Sequence, residues 1–425
     1  MNLPDDILIV GLGITGVATA RFLGTMGKRL TVVDEKTEQE LEGPLRALDG
    51  LRFTGIFGPH REENFLDHPL IVVSPGVDSE LPGLKAARAK GIKIIGEMEL
   101  AAAFIEEPII AVTGTNGKTT VTTLLGELFR KAFGDVFVGG NIGDPLINYV
   151  LNGRKARHVI IEVSSFQLET IETFAPGTAV LLNLAEDHLD RYKTFTDYSK
   201  AKERIFENQG YDDYAVLNTN FPPLEGIRAK RVYFSTEKEV EEGAFLRNGT
   251  MHVKVKGEEF RYERAISPLV GIHNTENLLA AILIAHMHGI SGSLIEGVIR
   301  DFKGLPHRIE AVRRVGGILF YNDSKATNVD SAKRALESID GKVVLIAGGK
   351  DKGGSYKAVK DLMAKVRGLV LIGEAKERIK AELGEYAETY MEKDLSGAVK
   401  RAVAVAKEGD VVLFSPMCSS FDMFK

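Results

Sequence analysis

The residues whose types and spacing could do chemistry are concentrated in Thr113-Gly114-Thr115-Asn116-Gly117-Lys118-Thr119-Thr120. An apolar run at residues 108–112 reads as a short buried strand before it, and residues 121–133 carry Leu124, Leu125, Leu128 and Phe129 at helical spacing after it. A glycine turn between strand and helix aims backbone N–H groups and the positive end of the helix dipole at one point, which suits a triphosphate. Lys118 would meet the outer phosphates and the Thr119 hydroxyl would ligate magnesium. The standard phosphate loop has an earlier glycine where this chain has Val112, so this loop is shorter and begins at Gly114. An ordinary strand-closing turn is the plain alternative, but packing alone does not require Gly, Asn, Gly, Lys and Thr in succession.

A second glycine turn lies near the start. Residues 7–10 read as a strand running into Gly11-Leu12-Gly13-Ile14-Thr15-Gly16, followed by a helix over 17–27 and a strand over 30–33 that ends at Asp34. These are the local requirements of a dinucleotide fingerprint, and taken alone they indicate NAD. The geometry specifies only a pyrophosphate at a helix N-terminus and a ribose near an acid, which UDP also offers.

Further candidates fall at other strand ends. Glu162 closes the expected strand 158–163, and His188 follows the strand 179–183. Ligand sites in open parallel sheets form at the carboxyl ends of strands, so Thr119, Glu162 and His188 could surround one metal. A salt-bridged carboxylate and a satisfied loop histidine are the competing accounts; adjacency to the phosphate loop favours the metal. Lys202, inside an expected helix over 198–208, reads from spacing alone as a solvated lysine. In the cluster Gly271 to Asn277, Asn274 or Thr275 could cap the following helix, whereas Asn277 could read an adenine; pattern does not separate the two. Polar strand-end loops at 322–328, 348–352 and 415–420 suggest a site facing another domain, and the two basic ones, 322–328 and 348–352, suit a carboxylate-bearing substrate, solvated loop charge being a fair competitor singly but a poor one for the set.

An α/β scaffold must position these groups. Strands Leu70–Val73 and, over 93–95, a further one alternate with helical stretches in a first unit. Residues 231–262 carry alternating runs and an Asn248-Gly249 turn, so hairpins added to the main sheet are expected. At 425 residues the chain exceeds one core, and three domains are expected, over 1–97, 98–304 and 305–425. Hydrophobic residues at 44% and charged ones at 27% describe an ordinary globular protein. A net charge of -5 lacks the basic excess expected for nucleic acid or an anionic membrane, so small-molecule substrates fit better. Cys418, the one cysteine, excludes an internal disulfide and reads as a small buried residue in a reducing compartment. Asp5 and Asp6 stand where a signal peptide would be basic, and no apolar run approaches the roughly 18 residues that cross a bilayer. A cytoplasmic monomer is expected.

The stretches GLGITG, SPG, TGTNGKTT, GGNIG, EVSSFQLE, EDHLDRY, AKERIFE, GIHNTEN, LPHR, NDSKATN and SPMCSSFDMFK span essentially the whole chain. In this order they resemble the Mur ligase family, and within it the members that add D-glutamate. The resemblance implies an N-terminal Rossmann-like domain for a UDP substrate, a central P-loop ATPase-like parallel sheet and a C-terminal Rossmann-like domain that helps close the site. It implies ATP-dependent amide formation through an acyl phosphate and a tetrahedral intermediate, with two Mg²⁺ ions, in peptidoglycan precursor synthesis. Ile14, Thr15, Glu35, Lys36, Ser74 and Asn141 match contacts to the UDP substrate, the family pattern having threonine and arginine where this chain has Glu35 and Lys36. Residues Gly114 to Thr120 match the ATP loop, while Asn277, Arg308 and Asp323 match adenine, phosphate and ribose contacts.

By the same resemblance Thr119, Glu162 and His188 match metal ligands. Lys202 matches a lysine carried as a carbamate, an anionic oxygen ligand for a second magnesium, which reverses its reading from spacing. Lys325, Thr327, Lys352 and Ser420 match residues near the D-glutamate carboxylates, and Lys118, Lys202, His188 and Lys325 form the implied catalytic set. The Asp-Asn-Pro-Arg motif of the diaminopimelate- or lysine-adding members is absent from the sequence. The family pattern continues past Lys425 with a helix that carries an aromatic contact to the amino acid. Rival readings use fewer features: a sibling ligase or folylpolyglutamate synthase, a P-loop ATPase switch, or an NAD-dependent dehydrogenase built on residues 7–34.

Overall fold

The computed structural model describes residues 1–189, 191–420 and 422–423. Asp190 of the EDHLDRY stretch and Phe421, Phe424 and Lys425 of the last stretch lie outside the described residues.

Three sheets follow one another along the chain. In the first, Thr54–Phe57, Arg29–Asp34, Asp6–Val10, Leu70–Val73 and Lys93–Gly96 run parallel in that spatial order. The order reverses between Asp6–Val10 and Leu70–Val73, the kind of crevice in which open sheets receive ligands. Helix Ile14–Thr25 begins at that crevice. Gly16 is obligatory there, because a Cβ would lie 1.9 Å from the Gly11 carbonyl oxygen.

The second sheet has nine strands, in the order Glu258–Glu263, Thr250–Val255, Gly243–Arg247, Lys230–Ser235, Tyr214–Asn218, Thr178–Leu181, Ile109–Thr113, His158–Glu162 and Val136–Gly140. Ile110, Ala111, Val112, Ile160 and Ile161 are fully inaccessible, as expected of parallel strands covered on both faces. The expectation of hairpins over 231–262 is corrected at one junction: Lys230–Ser235 and Gly243–Arg247 pair in parallel, and only the last three strands form antiparallel hairpins. Gly243 permits this, since at φ 136 a Cβ would sit 1.9 Å from the Tyr233 carbonyl oxygen. The helix expected over 198–208 begins earlier, at Phe195–Glu203, because the Thr194 hydroxyl accepts the Asp197 N–H at 3.1 Å.

The third sheet runs Glu310–Val315, Ile318–Asn322, Val411–Phe414, Val343–Gly348, Val366–Ile372 and Glu388–Met391, parallel apart from the first pair. One apolar core extends from Ile9 and Val32 in the first sheet through Leu100 to Ile147 and Ile161 in the second unit. The third unit has separate cores on its two sheet faces. No helix among the described residues is long and apolar enough to cross a membrane.

Candidate active site

The strand Ile109–Thr113 ends in the phosphate loop, and helix Lys118–Phe133 starts directly after Gly117 with no side-chain cap. Its first-turn N–H groups therefore remain available to an anion. Gly117, at φ 86, lies under Asn277: a Cβ would fall 2.3 Å from Asn277 Oδ1. Lys118 Nζ donates to the carbonyls of Gly114 (3.1 Å) and Thr115 (2.9 Å). Burial lowers its pKa, while Glu162 and Asp187 pull in the other direction.

Three parts of the chain converge beside this loop. Thr119 donates from its hydroxyl to Glu162 Oε2 (2.8 Å), Asn141 Nδ2 donates to Glu162 Oε1 (2.8 Å), and Arg308 Nη2 donates to Thr119 Oγ1 (3.0 Å). Arg308 is delivered by a contorted linker, with His307 at φ 67 and the β-branched Ile309 at φ 45. Left-handed backbone at such residues is costly and persists only where surrounding contacts enforce it. Ile309 is held by its N–H to Asp323 Oδ1 (3.1 Å). Burial raises the Asp323 pKa to about 6.

Among the described residues no three His, Cys, Asp or Glu side chains form a complete metal cage. The hydroxyl and carboxylate oxygens of Thr119 and Glu162 nevertheless suit Mg²⁺, which commonly takes only one or two carboxylates and completes its shell with phosphate and water. The His188 ring lies 4.9 Å from that of Phe166 and 6.3 Å from that of Tyr198, the His188 φ is 55, and its N–H donates to Asp187 Oδ1 (2.9 Å).

Lys202 is 2% exposed, so the solvated-lysine reading from spacing is wrong. Its Nζ sits 4.8 Å from the Tyr198 ring centroid, and Tyr198 donates from its hydroxyl to Thr115 Oγ1 (3.1 Å) in the phosphate loop. Burial, and next the charge of Lys118, lower the Lys202 pKa well below its ordinary value.

Two cavities flank these groups. One is lined by Gly117, Asn277, Arg308, Asp323, Lys325 and Arg334, among others. Another has Asp187, Thr327, Asn328 and Lys352 in its walls. Lys325 thus faces the same cavity as Asn277 and Asp323, apart from Thr327 and Lys352, with which the sequence grouped it. Its N–H is tied back to the His307 carbonyl (3.2 Å), which turns it toward the linker. Ser420 is exposed and lines neither cavity.

At the first glycine turn Ser74 Oγ donates to the Gly11 carbonyl (2.9 Å), beside the start of the helix that carries Ile14 and Thr15. Ile14 is 78% exposed, and Glu35 and Lys36 are exposed too. Asp34 is engaged by the glycine turn and by its own loop: Oδ2 accepts the Leu12 N–H (2.6 Å) and Oδ1 the Lys36 N–H (2.9 Å). Asn141, grouped by sequence with the UDP contacts, donates from its side-chain amide to Glu162.

Sequence reasoning missed Asp187, which accepts from Asn328 Nδ2 (3.0 Å) and lies 3.5 Å from Lys352 Nζ. Burial alone would raise its pKa, but Lys352, His188 and Asn328 hold it below the usual value. Its position beside His188 after a strand was the available signal.

Comparison with known proteins places this geometry in a family. Residues 5–96 match the Mur ligase MurD-like N-terminal domain, 112–285 the Mur ligase middle domain, and 307–418 the Mur ligase glutamate ligase domain. A protein of Geotalea daltonii named UDP-N-acetylmuramoylalanine–D-glutamate ligase is 50% identical over 424 residues, covering 99% of this chain and 94% of its own. A Geobacter metallireducens protein of the same name is 49% identical over 99% of this chain and 94% of its own. Among solved structures, UDP-N-acetylmuramate-alanine ligase from Thermotoga maritima aligns over 97% of this chain and 96% of its own with TM-score 0.60 at 21% identity, a likeness of fold. A pseudomurein peptide ligase type C from Methanothermus fervidus aligns over the same shares with TM-score 0.61 at 18% identity. By three successive domain matches and by relatives at about half identity over nearly its full length, the chain belongs to the Mur ligase family.

Proposed function

We propose that this chain is an ADP-forming ligase that joins D-glutamate to UDP-N-acetylmuramoyl-L-alanine in peptidoglycan precursor synthesis. The convergence of Thr119, Glu162 and Arg308 at the phosphate loop carries the proposal, because it puts an acid, a hydroxyl and a cation where a triphosphate would end. The cavity under Asn277 takes ATP, with Asp323 toward the ribose, and the cavity with Thr327 and Lys352 takes the amino acid. Ile14, Thr15 and Ser74 hold the sugar nucleotide at the first crevice. The protein works as a cytoplasmic monomer, and its domains divide at about residues 97 and 304.

The chemistry follows from charge. The alanine carboxylate of the substrate must approach the γ-phosphate of ATP, and the two repel. Lys118 and Arg308 offset that repulsion and align the attack. The carboxylate oxygen forms a bond to phosphorus as ADP leaves, giving an acyl phosphate. The D-glutamate amine then adds to its carbonyl, and collapse of the tetrahedral intermediate expels phosphate. Exclusion of water by the docked third unit protects the acyl phosphate from hydrolysis.

Mg²⁺, held by Thr119 and Glu162 with His188 and carbamylated Lys202 nearby, would supply charge neutralisation at the phosphates. A carbamate at Lys202 is supported by its burial and lowered pKa, since only a neutral amine adds to CO₂. The test is phosphate release with ATP and Mg²⁺ over a matrix of sugar nucleotides and amino acids. Turnover is expected only when UDP-N-acetylmuramoyl-L-alanine and D-glutamate are both present; turnover with L-glutamate, or with no amino acid, would contradict the proposal.

A further inference from the structure

The second and third units meet through a polar chain that runs along the wall of the cavity below Asn277. Asn116 of the phosphate loop donates from Nδ2 to Asp330 Oδ2 (2.7 Å), and its Oδ1 accepts from the Ser331 hydroxyl (2.6 Å) and from Asn328 Nδ2 (3.3 Å). The same Asp330 oxygen accepts from Arg334 Nε (2.8 Å), and Arg334 Nη1 donates to Glu276 Oε2 (3.0 Å). Asn218 Nδ2 in turn donates to Glu276 Oε1 (3.3 Å). Asp330, Ser331 and Arg334 lie on helix Val329–Ser338 of the third unit, whereas Glu276 lies on helix Ile272–Met287 of the second. The Arg334 and Glu276 side chains are only 23% and 13% exposed, so water screens their attraction weakly.

We propose that Glu276, Arg334 and Asp330 form a latch that holds the third unit docked on the phosphate loop, and so act as positioning residues for both ligand cavities. The proposal rests on the assignment of those cavities to ATP and to the amino acid. Each cavity takes walls from both units: Asn277 faces Asp323 in one, and Asp187 faces Thr327 and Lys352 in the other. Among the described residues no apolar cluster spans this boundary, so polar contacts set how much of the protein is docked. When only a fraction is docked, the apparent affinity for each ligand falls by that fraction. A latch therefore governs both ligands together, whereas a side chain that merely touched ATP would govern ATP alone.

The test compares Arg334→Gln, Glu276→Gln and the double variant in the full-length protein by steady-state kinetics. Each single change is expected to raise the KM for ATP roughly tenfold and, at limiting ATP, the KM for D-glutamate by a similar factor. The double variant should be no worse than Arg334→Gln alone, because the two changes break one contact, and Arg334→Lys should retain most of the wild-type affinity for both ligands. Asp330→Asn, nearly isosteric, should raise both constants if either glutamine variant fails to fold. Unchanged constants, a rise for ATP alone, or additive losses in the double variant would overturn the latch. A wild-type protein with no ATP- and D-glutamate-dependent turnover would instead overturn the proposed function.

Discussion

Lys202 has its amine buried and repelled by Lys118, and both effects favour loss of its proton. If the amine becomes a carbamate, removing it deletes an anionic ligand from a charge-balanced centre. Lys202→Ala should lower turnover on the order of 100-fold or more, the scale of losing one preorganised electrostatic group. Formate or acetate should restore part of it, and unchanged turnover in the variant would remove the carbamate from the account. Gly117→Ala introduces a Cβ 2.3 Å from Asn277 Oδ1 at a left-handed position. It should weaken ATP binding roughly tenfold or more by calorimetry while the fold persists; wild-type affinity would show that this contact yields freely. Thr119 was legible in the sequence from the Gly-Lys-Thr pattern of the phosphate loop, and Glu162 because it closes an apolar strand. Lys202 was legible only by resemblance, since it packs on Tyr198, whose place is fixed by a hydrogen bond to Thr115 of the phosphate loop at a separation of 83.

At the scale of elements, the helix Glu97–Ala102 joins the first two units with two buried carboxylates. Glu99 receives the N–H groups of Glu172 (3.0 Å), Thr173 (2.8 Å) and Phe174 (3.0 Å), so its charge is well compensated. Glu97 receives the Ile147 N–H (2.6 Å), and burial raises its pKa from 4.5 to about 7. The folded chain therefore keeps a proton that the unfolded chain loses. The resulting stability is full below the unfolded value and is lost as pH rises from about 4.5 to about 7, beyond which the loss is constant. Glu97→Gln should remove this decline and, relative to wild type, gain up to about 3 kcal/mol at pH 8 over its value at acid pH, by urea unfolding at both. An equal difference at the two pH values would contradict the titration of Glu97. Central strands were readable as apolar runs, but Thr54–Phe57, Glu310–Val315 and Glu388–Met391 escaped notice. They lie at sheet edges, where one side lacks a neighbour and the sequence need not be apolar.

At the scale of the molecule, a continuous apolar core welds the first unit to the second, whereas polar contacts join the second to the third. Domain motion is then expected mainly at the latter boundary, since polar interfaces release at lower cost than apolar ones. Bound ATP analogue and D-glutamate should slow hydrogen exchange in the helix Val329–Ser338 far more than in Glu97–Ala102; equal protection would place the motion elsewhere. The contacts that dock the third unit were not readable from sequence, because Asn116 and Asp330 are 214 residues apart and meet only after both units have folded. Three α/β units and the phosphate site were readable, because each is encoded in one short strand, turn and helix. Their joint purpose is activation of a carboxylate by the terminal phosphoryl group of ATP. The most direct measurement uses UDP-N-acetylmuramoyl-L-alanine with ¹⁸O in both carboxylate oxygens, following products by mass spectrometry. The account predicts ADP, one ¹⁸O in the released phosphate and one in the new amide; unlabelled phosphate, or release of AMP and pyrophosphate, would contradict it.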